Sequence, residues 1–180
     1  LEDDTSLDVI NISNESSNSN FLNFRQKINI GKNSVLKNYS LDINPTSNIK
    51  YLYKDINLDQ NSHLEYFILS KGSKFAKHDI NCSLNNNHGS IALNGIIDLD
   101  NKKHHEIKTV INHNEENCKS YQLIKSVLSE NSKGIYQGKI YVNSKAQKTD
   151  GYQLSRALLL NDNVEFNAKP ELEIYADDVK

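Results

Sequence analysis

The sequence predicts an all-β protein, and within that class a parallel β-helix. Three observations carry the prediction. From Lys27 to the end of the chain, apolar residues alternate with polar ones in segment after segment, the pattern of strands with one buried face. Segments start near Lys50, His63, Phe75, Ile91, His105, Lys119, Gly134, Tyr152 and Glu171, so two of them make a unit of roughly 30 residues, inside the window for solenoids and other arrays. The separators are short and rich in Asn, Asp, Ser and Lys, with no helix-length linker, which argues against βαβ units.

Taken in order, Leu7–Ile12 reads as one short strand. Ser13–Asn20 has no apolar anchor and is expected to be a disordered loop or insertion. Residues 1–26 are therefore expected to form a loosely ordered N-terminal segment, and 27–180 the β-helix core. The expected inward positions begin with Ile28 and Ile30, then Leu41 and Ile43, then Ile49, Tyr51 and Tyr53, then Ile56 and Leu58. Leu64, Tyr66 and Ile68 follow, then Ile80, Cys82 and Leu84, then Ile91, Leu93, Ile97 and Leu99. Ile135, Ile140, Val142, Leu172, Ile174 and Ala176 complete the set. Tyr121–Leu128 and Tyr152–Leu160 fit a helix as well as a strand, because short apolar runs do not distinguish the two. A β-sandwich is the alternative architecture, but it needs hairpins. Asn-Gly occurs only at Asn94-Gly95 and Asp-Gly only at Asp150-Gly151.

Composition narrows the function. The 180 residues carry 21 Lys+Arg against 23 Asp+Glu, a net charge of −2, which argues against non-specific nucleic-acid binding. No apolar run approaches the ~18 residues of a membrane-spanning helix, so no membrane role is expected. The sequence has no Met and opens Leu1-Glu2-Asp3-Asp4, so a fragment or a processed chain is expected, and that opening has no signal-peptide pattern. We count 26 Asn, against 7 Gly and 2 Pro. Two readings account for this: Asn is the best non-Gly residue for left-handed corners, and an AT-rich genome enriches Asn through its codons. Cys82 and Cys118 form no Cys-x-x-Cys pair, so a reducing compartment is expected, with a lone disulfide as the alternative.

Motifs for chemistry are sparse. His104-His105-Glu106 with His113 suggests a metal, but neighbouring His residues on a strand point to opposite faces, and the spacing matches no zinc motif. His113 and Cys118, five residues apart, are the remaining weak candidates for a soft metal or an iron–sulfur intermediate; the competing reading of Cys118 is a small buried hydrophobe. There is no nucleophile elbow and no phosphate-binding loop. Glu171 and Glu173 share one strand face with Tyr175 and Asp177. Without Trp or a clear aromatic platform, a solvated face describes them better than a glycosidic pair.

The C-terminal third is the most specific part. Gly138-Lys139-Ile140-Tyr141-Val142, then Ala146-Gln147-Lys148-Thr149-Asp150, then Leu158-Leu159-Leu160, then Lys169-Pro170-Glu171-Leu172-Glu173-Ile174-Tyr175-Ala176-Asp177-Asp178-Val179-Lys180 resemble the core of the SufB/SufD family of iron–sulfur cluster assembly proteins, in its SufD-like branch. The resemblance runs strongly from about His105 to Lys180 and more weakly from about Asn57 to Asp100. It implies a right-handed parallel β-helix and resolves both ambiguous segments as strands. It also implies a non-catalytic scaffold subunit that pairs with a SufB-like paralogue and a SufC-like ATPase, in the cytoplasm or in the stroma of a plastid. Family members continue past the equivalent of Lys180 into a Cys-Ser-His-Gly motif and a C-terminal region that contacts the ATPase, so this sequence carries the platform. Cys118 inherits no role, and no cofactor is expected on this chain; an iron–sulfur cluster would form transiently in the full complex. The expected partner surface is Tyr175, Asp177, Asp178 and Lys180. A carbohydrate-active or adhesive β-helix is the rival function.

Overall fold

The computed structural model describes residues 1–13 and 20–180. Its elements are strands throughout: β1 (Ser6–Ile12), β2 (Phe21–Ile30), β3 (Val35–Asp42), β4 (Thr46–Leu58), β5 (His63–Ser70), β6 (Ser73–Leu84), β7 (Ser90–Leu99), β8 (His104–His113), β9 (Lys119–Leu128), β10 (Lys133–Val142), β11 (Asp150–Leu159) and β12 (Glu165–Ile174). Odd-numbered strands stack into one six-stranded sheet and even-numbered strands into a second. All the pairings are parallel. One strand from each sheet makes a coil, and six coils make a parallel β-helix. The rise from one coil to the next takes 28 residues from Val35 to His63, 27 from His63 to Ser90 and 32 from Lys133 to Glu165, matching the unit read from the sequence.

Both ambiguous segments are strands, β9 and β11. In β9, Ile124 and Leu128 face the lumen, while Tyr121, Leu123 and Val127 face out. Residues 6–12 are β1, in register with β3, and 21–26 begin β2, in register with β4, so the described part of 1–26 belongs to the first coil. Most of the Ser/Asn-rich stretch, residues 14–19, lies outside the described residues.

Asparagine does two jobs at the corners. Among the described residues, five of the ten non-Gly residues with positive φ are Asn33, Asn61, Asn101, Asn117 and Asn131, where the short amide side chain eases the left-handed backbone. Asparagines also hydrogen-bond up the stack: Asn114 donates to Asn85 (2.9 Å), Asn85 to Asn57 (3.2 Å) and Asn57 to Asn29 (3.2 Å). A second ladder runs from Asn61 to Asn33 (3.1 Å) and on to Asp4 (2.9 Å). The inner amides, Asn85, Asn57 and Asn33, each donate to one neighbour and accept from another.

The core is the lumen between the sheets, filled by Ile56, Leu58, Leu64, Ile68, Ile80, Leu84, Leu93, Ile97, Ile107 and Ile111, among others. Three groups of expected inward residues face out instead. In β4 the lumen receives Lys50, Leu52 and Lys54 ahead of Ile56 and Leu58, while Ile49, Tyr51 and Tyr53 lie on the outer face. A strand has one parity, so Ile56 and Leu58 bring every even position of that stretch inward with them. In β3 the inward residues are Leu36, Asn38, Ser40 and Asp42, which puts Leu41 outside, and Ile43 is exposed beyond the strand end. Ile135 is the third case, because its neighbours Gly134 and Tyr136 take the lumen. A Cβ on lumenal Gly95 would lie 2.6 Å from Ile124 Cδ1 in the coil above, so a larger residue there requires that side chain to move.

Ile140 and Val142 are buried, at 1% and 0% exposure. Leu172 and Ile174 stand in register directly above them, yet are 55% and 43% exposed because β12 lies in the last coil. Ile140→Ala should therefore lower unfolding free energy by ~2–5 kcal/mol, with Leu172→Ala costing clearly less, since truncation cost follows the burial lost. Urea unfolding of both variants measures the difference; equal costs would mean that the last coil is covered in solution.

Candidate functional site

Two regions stand out: a polar stretch of the lumen and the exposed final coil. In the lumen, Asp42 is 4% exposed and Lys50 1% exposed, and the Lys50 ammonium lies 2.8 Å from an Asp42 carboxylate oxygen. Asp42 also accepts from the Ser73 backbone N–H (3.0 Å) and the Ser73 hydroxyl (3.1 Å). Burial alone would raise the Asp42 pKa. The Lys50 and Ser73 hydrogen bonds outweigh it and hold the carboxyl below its ordinary value.

Beside this pair sit two buried histidines. His105 Nε2 is 2.7 Å from the Ser73 carbonyl, which can only accept, so that nitrogen carries the proton. His105 Nδ1 then accepts from the Ser70 hydroxyl at 2.7 Å. His78 Nε2 reaches the same hydroxyl at 3.4 Å, and its Nδ1 is without a hydrogen-bond partner among the described residues. Burial lowers the pKa of His78 to about 3 and of His105 to about 4, so both imidazoles are neutral. The adjacent His104 points outward, its ring edge-on to Phe75 at 5.1 Å, as the alternation of a strand requires.

Sequence reasoning missed this lumenal group, Asp42, Lys50, Lys54, Ser70 and His78. The signal was present as parity: Lys50, Lys54, Ile56 and Leu58 are all even positions of one uninterrupted strand.

The weak metal candidates are separated by their roles. His113 ends β8 facing the lumen; its Nε2 contacts the Ser120 hydroxyl at 2.8 Å, and burial lowers its pKa to about 4. Cys118 occupies the next corner, with its thiol 3.3 Å from the Asn86 carbonyl. Cys118 and Cys82 are both free and buried, and burial raises the pKa of each. Among the described residues no three His, Cys, Asp or Glu side chains gather as a metal site.

The final coil exposes two strand edges, since β11 and β12 are each paired on one side only. Its apolar residues Leu158, Leu159, Leu160 and Leu172 are 49–57% exposed. The segment after β12 folds back over this coil. The Tyr175 N–H donates to the Val142 carbonyl (2.9 Å), and the Tyr175 ring lies 5.4 Å from Tyr141. Lys148 N–H donates to the Asp178 carbonyl (2.6 Å), and Lys180 and Thr149–Gly151 exchange hydrogen bonds of 2.9 and 3.0 Å. Val179 pairs in parallel with Thr149, as the first rung above β11. Ala176 and Val179 are packed down on Ile140, Val142 and Ala146, which leaves Tyr175, Asp177, Asp178 and Lys180 facing solvent together. Glu171 and Glu173 lie on the outer strand face in ion pairs with Lys169 and Lys139, so they form a salt-bridged surface rather than a carboxylate pair across a cleft.

Comparison with known proteins decides the family. The family model described as "SUF system FeS cluster assembly, SufBD core domain" matches residues 1–180, the whole chain. This chain belongs to the SufB/SufD family. It is 31% identical over 163 residues to the iron–sulfur cluster assembly protein SufD of Escherichia coli (strain K12), covering 89% of this chain and 38% of that protein. It is 28% identical over 109 residues to an iron–sulfur cluster assembly SufBD family protein of Synechocystis, covering 61% of this chain and 24% of the relative. The Arabidopsis thaliana protein "ABCI7, chloroplastic" is 27% identical over 152 residues, with coverage of 84% and 32%. The chain thus spans under two fifths of these relatives. It is SufD-like, and the match takes in the first coil, where the sequence alone showed no usable resemblance. Among the described residues no helix is long and apolar enough to cross a membrane.

The buried histidines of this SufD-like core set an acid limit on its stability. Their folded pKa values lie below the ordinary 6.5, so the unfolded chain takes up protons first as pH falls. Unfolding free energy should be unaffected by these groups above pH 6.5 and fall between pH 6.5 and about 4, by about 1.4 kcal/mol per pH unit for each histidine that stays neutral in the fold. Asp42 works in the same sense only at lower pH, near the ordinary carboxylate range. Urea unfolding at pH 7, 6 and 5 measures the slope. His105→Gln, neutral at every pH, should flatten it by about one proton's worth; an unchanged slope would show that His105 titrates alike in both states.

Proposed function

We propose that this chain is a non-catalytic scaffold subunit of the SUF iron–sulfur cluster assembly machinery, pairing with a SufB-like paralogue and acting with a SufC-like ATPase. The observation that carries this reading is the match of the SufBD core along all 180 residues. The fold suits a platform. In-register stacking in both sheets gives continuous outer faces along which another β-helix can pack. The partner surface is the solvent-facing group Tyr175, Asp177, Asp178 and Lys180, next to exposed Leu158–Leu160. The ATPase contact lies in a C-terminal region beyond this sequence. The setting is the cytoplasm or a plastid stroma, as the bacterial and chloroplastic relatives suggest.

The cluster itself is cargo. It forms transiently in the full complex, and this chain alone holds none. A thiol binds iron as the thiolate, and burial holds both thiols here in their protonated form.

Deleting the gene should reduce iron–sulfur enzyme activities during growth under iron limitation, and the wild-type gene should restore them; normal activities in the deletion strain would sink the reading. In the same strain, Asp177→Lys with Asp178→Lys should weaken co-purification of the SufB-like partner by ~1–3 kcal/mol, through the reversed rim charge. Partner retention at wild-type affinity would remove these residues from the interface. Anaerobic reconstitution of the isolated chain should yield no stoichiometric iron and sulfide. A cluster lost on Cys118→Ser would show instead that Cys118 and His113 are ligands.

A further inference from the structure

We propose that Lys54 is the cation of a binding site for a small organic monoanion, a short-chain carboxylate, inside the lumen at the β1–β2 end of the solenoid. Lys54 faces inward from β4, in register between Gln26 of the coil below and Ile80 of the coil above. It is only 6% exposed. Lys50, two steps of the alternation away on the same strand face, has Asp42 as its counter-anion. Lys54 has no carboxylate in reach among the described residues. Its ammonium lies instead over the Tyr66 ring, 4.7 Å from the centroid.

That contact does not balance the burial. A cation over an aromatic face gains ~0.5–2 kcal/mol. Removing an ammonium from water costs several kcal/mol even after relaxation. Burial accordingly brings the Lys54 pKa down to about 8, which leaves it largely charged at neutral pH.

A cavity of about 200 Å³ counts Lys54 among its lining residues. Asn11, Gln26 and Ser40 supply neutral hydrogen-bonding groups, and Phe24 and Leu52 supply an apolar wall; no acidic side chain lines it among the described residues. Such a space admits several waters or one short organic acid. The lining sorts the ligand by chemistry. One buried cation with amide and hydroxyl groups fits a single carboxylate, and the apolar wall fits a short hydrocarbon tail. A multiply charged anion would leave charge uncompensated in a low-dielectric space. The bound carboxylate supplies the counter-charge that the described residues do not.

The test uses butyrate as probe on the whole protein, with sodium chloride and sodium phosphate at matched ionic strength as controls. Butyrate should raise Tm progressively with its concentration, by about 3 °C at ten times its half-saturating concentration. Chloride and phosphate should not. Lys54→Met keeps the length and removes the charge, so it should show a higher Tm without ligand and no response to butyrate. The wild-type protein provides a second readout that does not depend on that variant folding. The Lys54 Cε resonance in ¹³C-lysine-labelled protein should titrate near pH 8 and move to higher pH as butyrate saturates. A Cε titration that ignores butyrate, or an equal Tm response in Lys54→Met, would overturn the site. A chloride or phosphate response equal to that of butyrate would overturn the carboxylate assignment.

Discussion

In-register parallel stacking is the constraint on which the rest of this structure depends. Each residue sits on a partner one coil away, with the same side chain orientation, so the lumen is built of columns rather than independent strands. One column runs Ile28, Ile56, Cys82, Ile111, Ile140, Leu172 and is apolar throughout. Another runs Leu22, Lys50, Ala76, His105, Gly134, Phe166, and there the small Ala76 leaves space between Lys50 and His105. The apolar columns hold the coils together. They thereby drag polar residues of the same parity inside, where Asp42, Ser70 and Ser73 must satisfy them.

This division explains how one narrow core supports both stability and polar chemistry. The ends of the even-numbered strands that carry Ile56, Leu58, Cys82, Leu84 and Ile111 supply close-packed apolar contact. Their beginnings carry Lys50, Lys54, His78 and His105, whose hydrogen bonds and charges are confined between two sheets. Neutral histidines and a depressed lysine follow from that confinement, since a low-dielectric surround penalises the charged form of each. Outside, the same repetition makes asparagine ladders at the corners, where an amide both donates and accepts and so can be repeated from coil to coil.

The terminal coil shows what stacking means for function. β11 and β12 have the same geometry as the strands below them, but one edge of each is unpaired. Leu172 differs from Ile140 in exposure, not in direction. The same in-register geometry that buries Ile140 beneath Leu172 would bury Leu172 beneath a further coil.

The all-β class, the coil length of roughly 30 residues, the strand positions from β4 to β11 and the SufD-like ending from Gly138 to Lys180 were legible in the amino-acid sequence. Alternation and repeat length are local properties, and a strand keeps its parity whatever packs against it. Which parity turns inward was legible only where apolar residues shared it, as in Leu64, Tyr66 and Ile68. In β3 and β4 the apolar residues of the wrong parity, Leu41, Ile49, Tyr51 and Tyr53, pointed to the wrong face. The inward choice there belongs to the columns above and below, through Ile28, Ile56 and Cys82. The asparagine excess allowed two readings until the corners and ladders gave many of those residues a structural role. The tertiary structure alone decided that Asp42 meets Lys50 and that Lys54 meets a ring and a cavity, because contacts across a coil join residues that no local pattern connects.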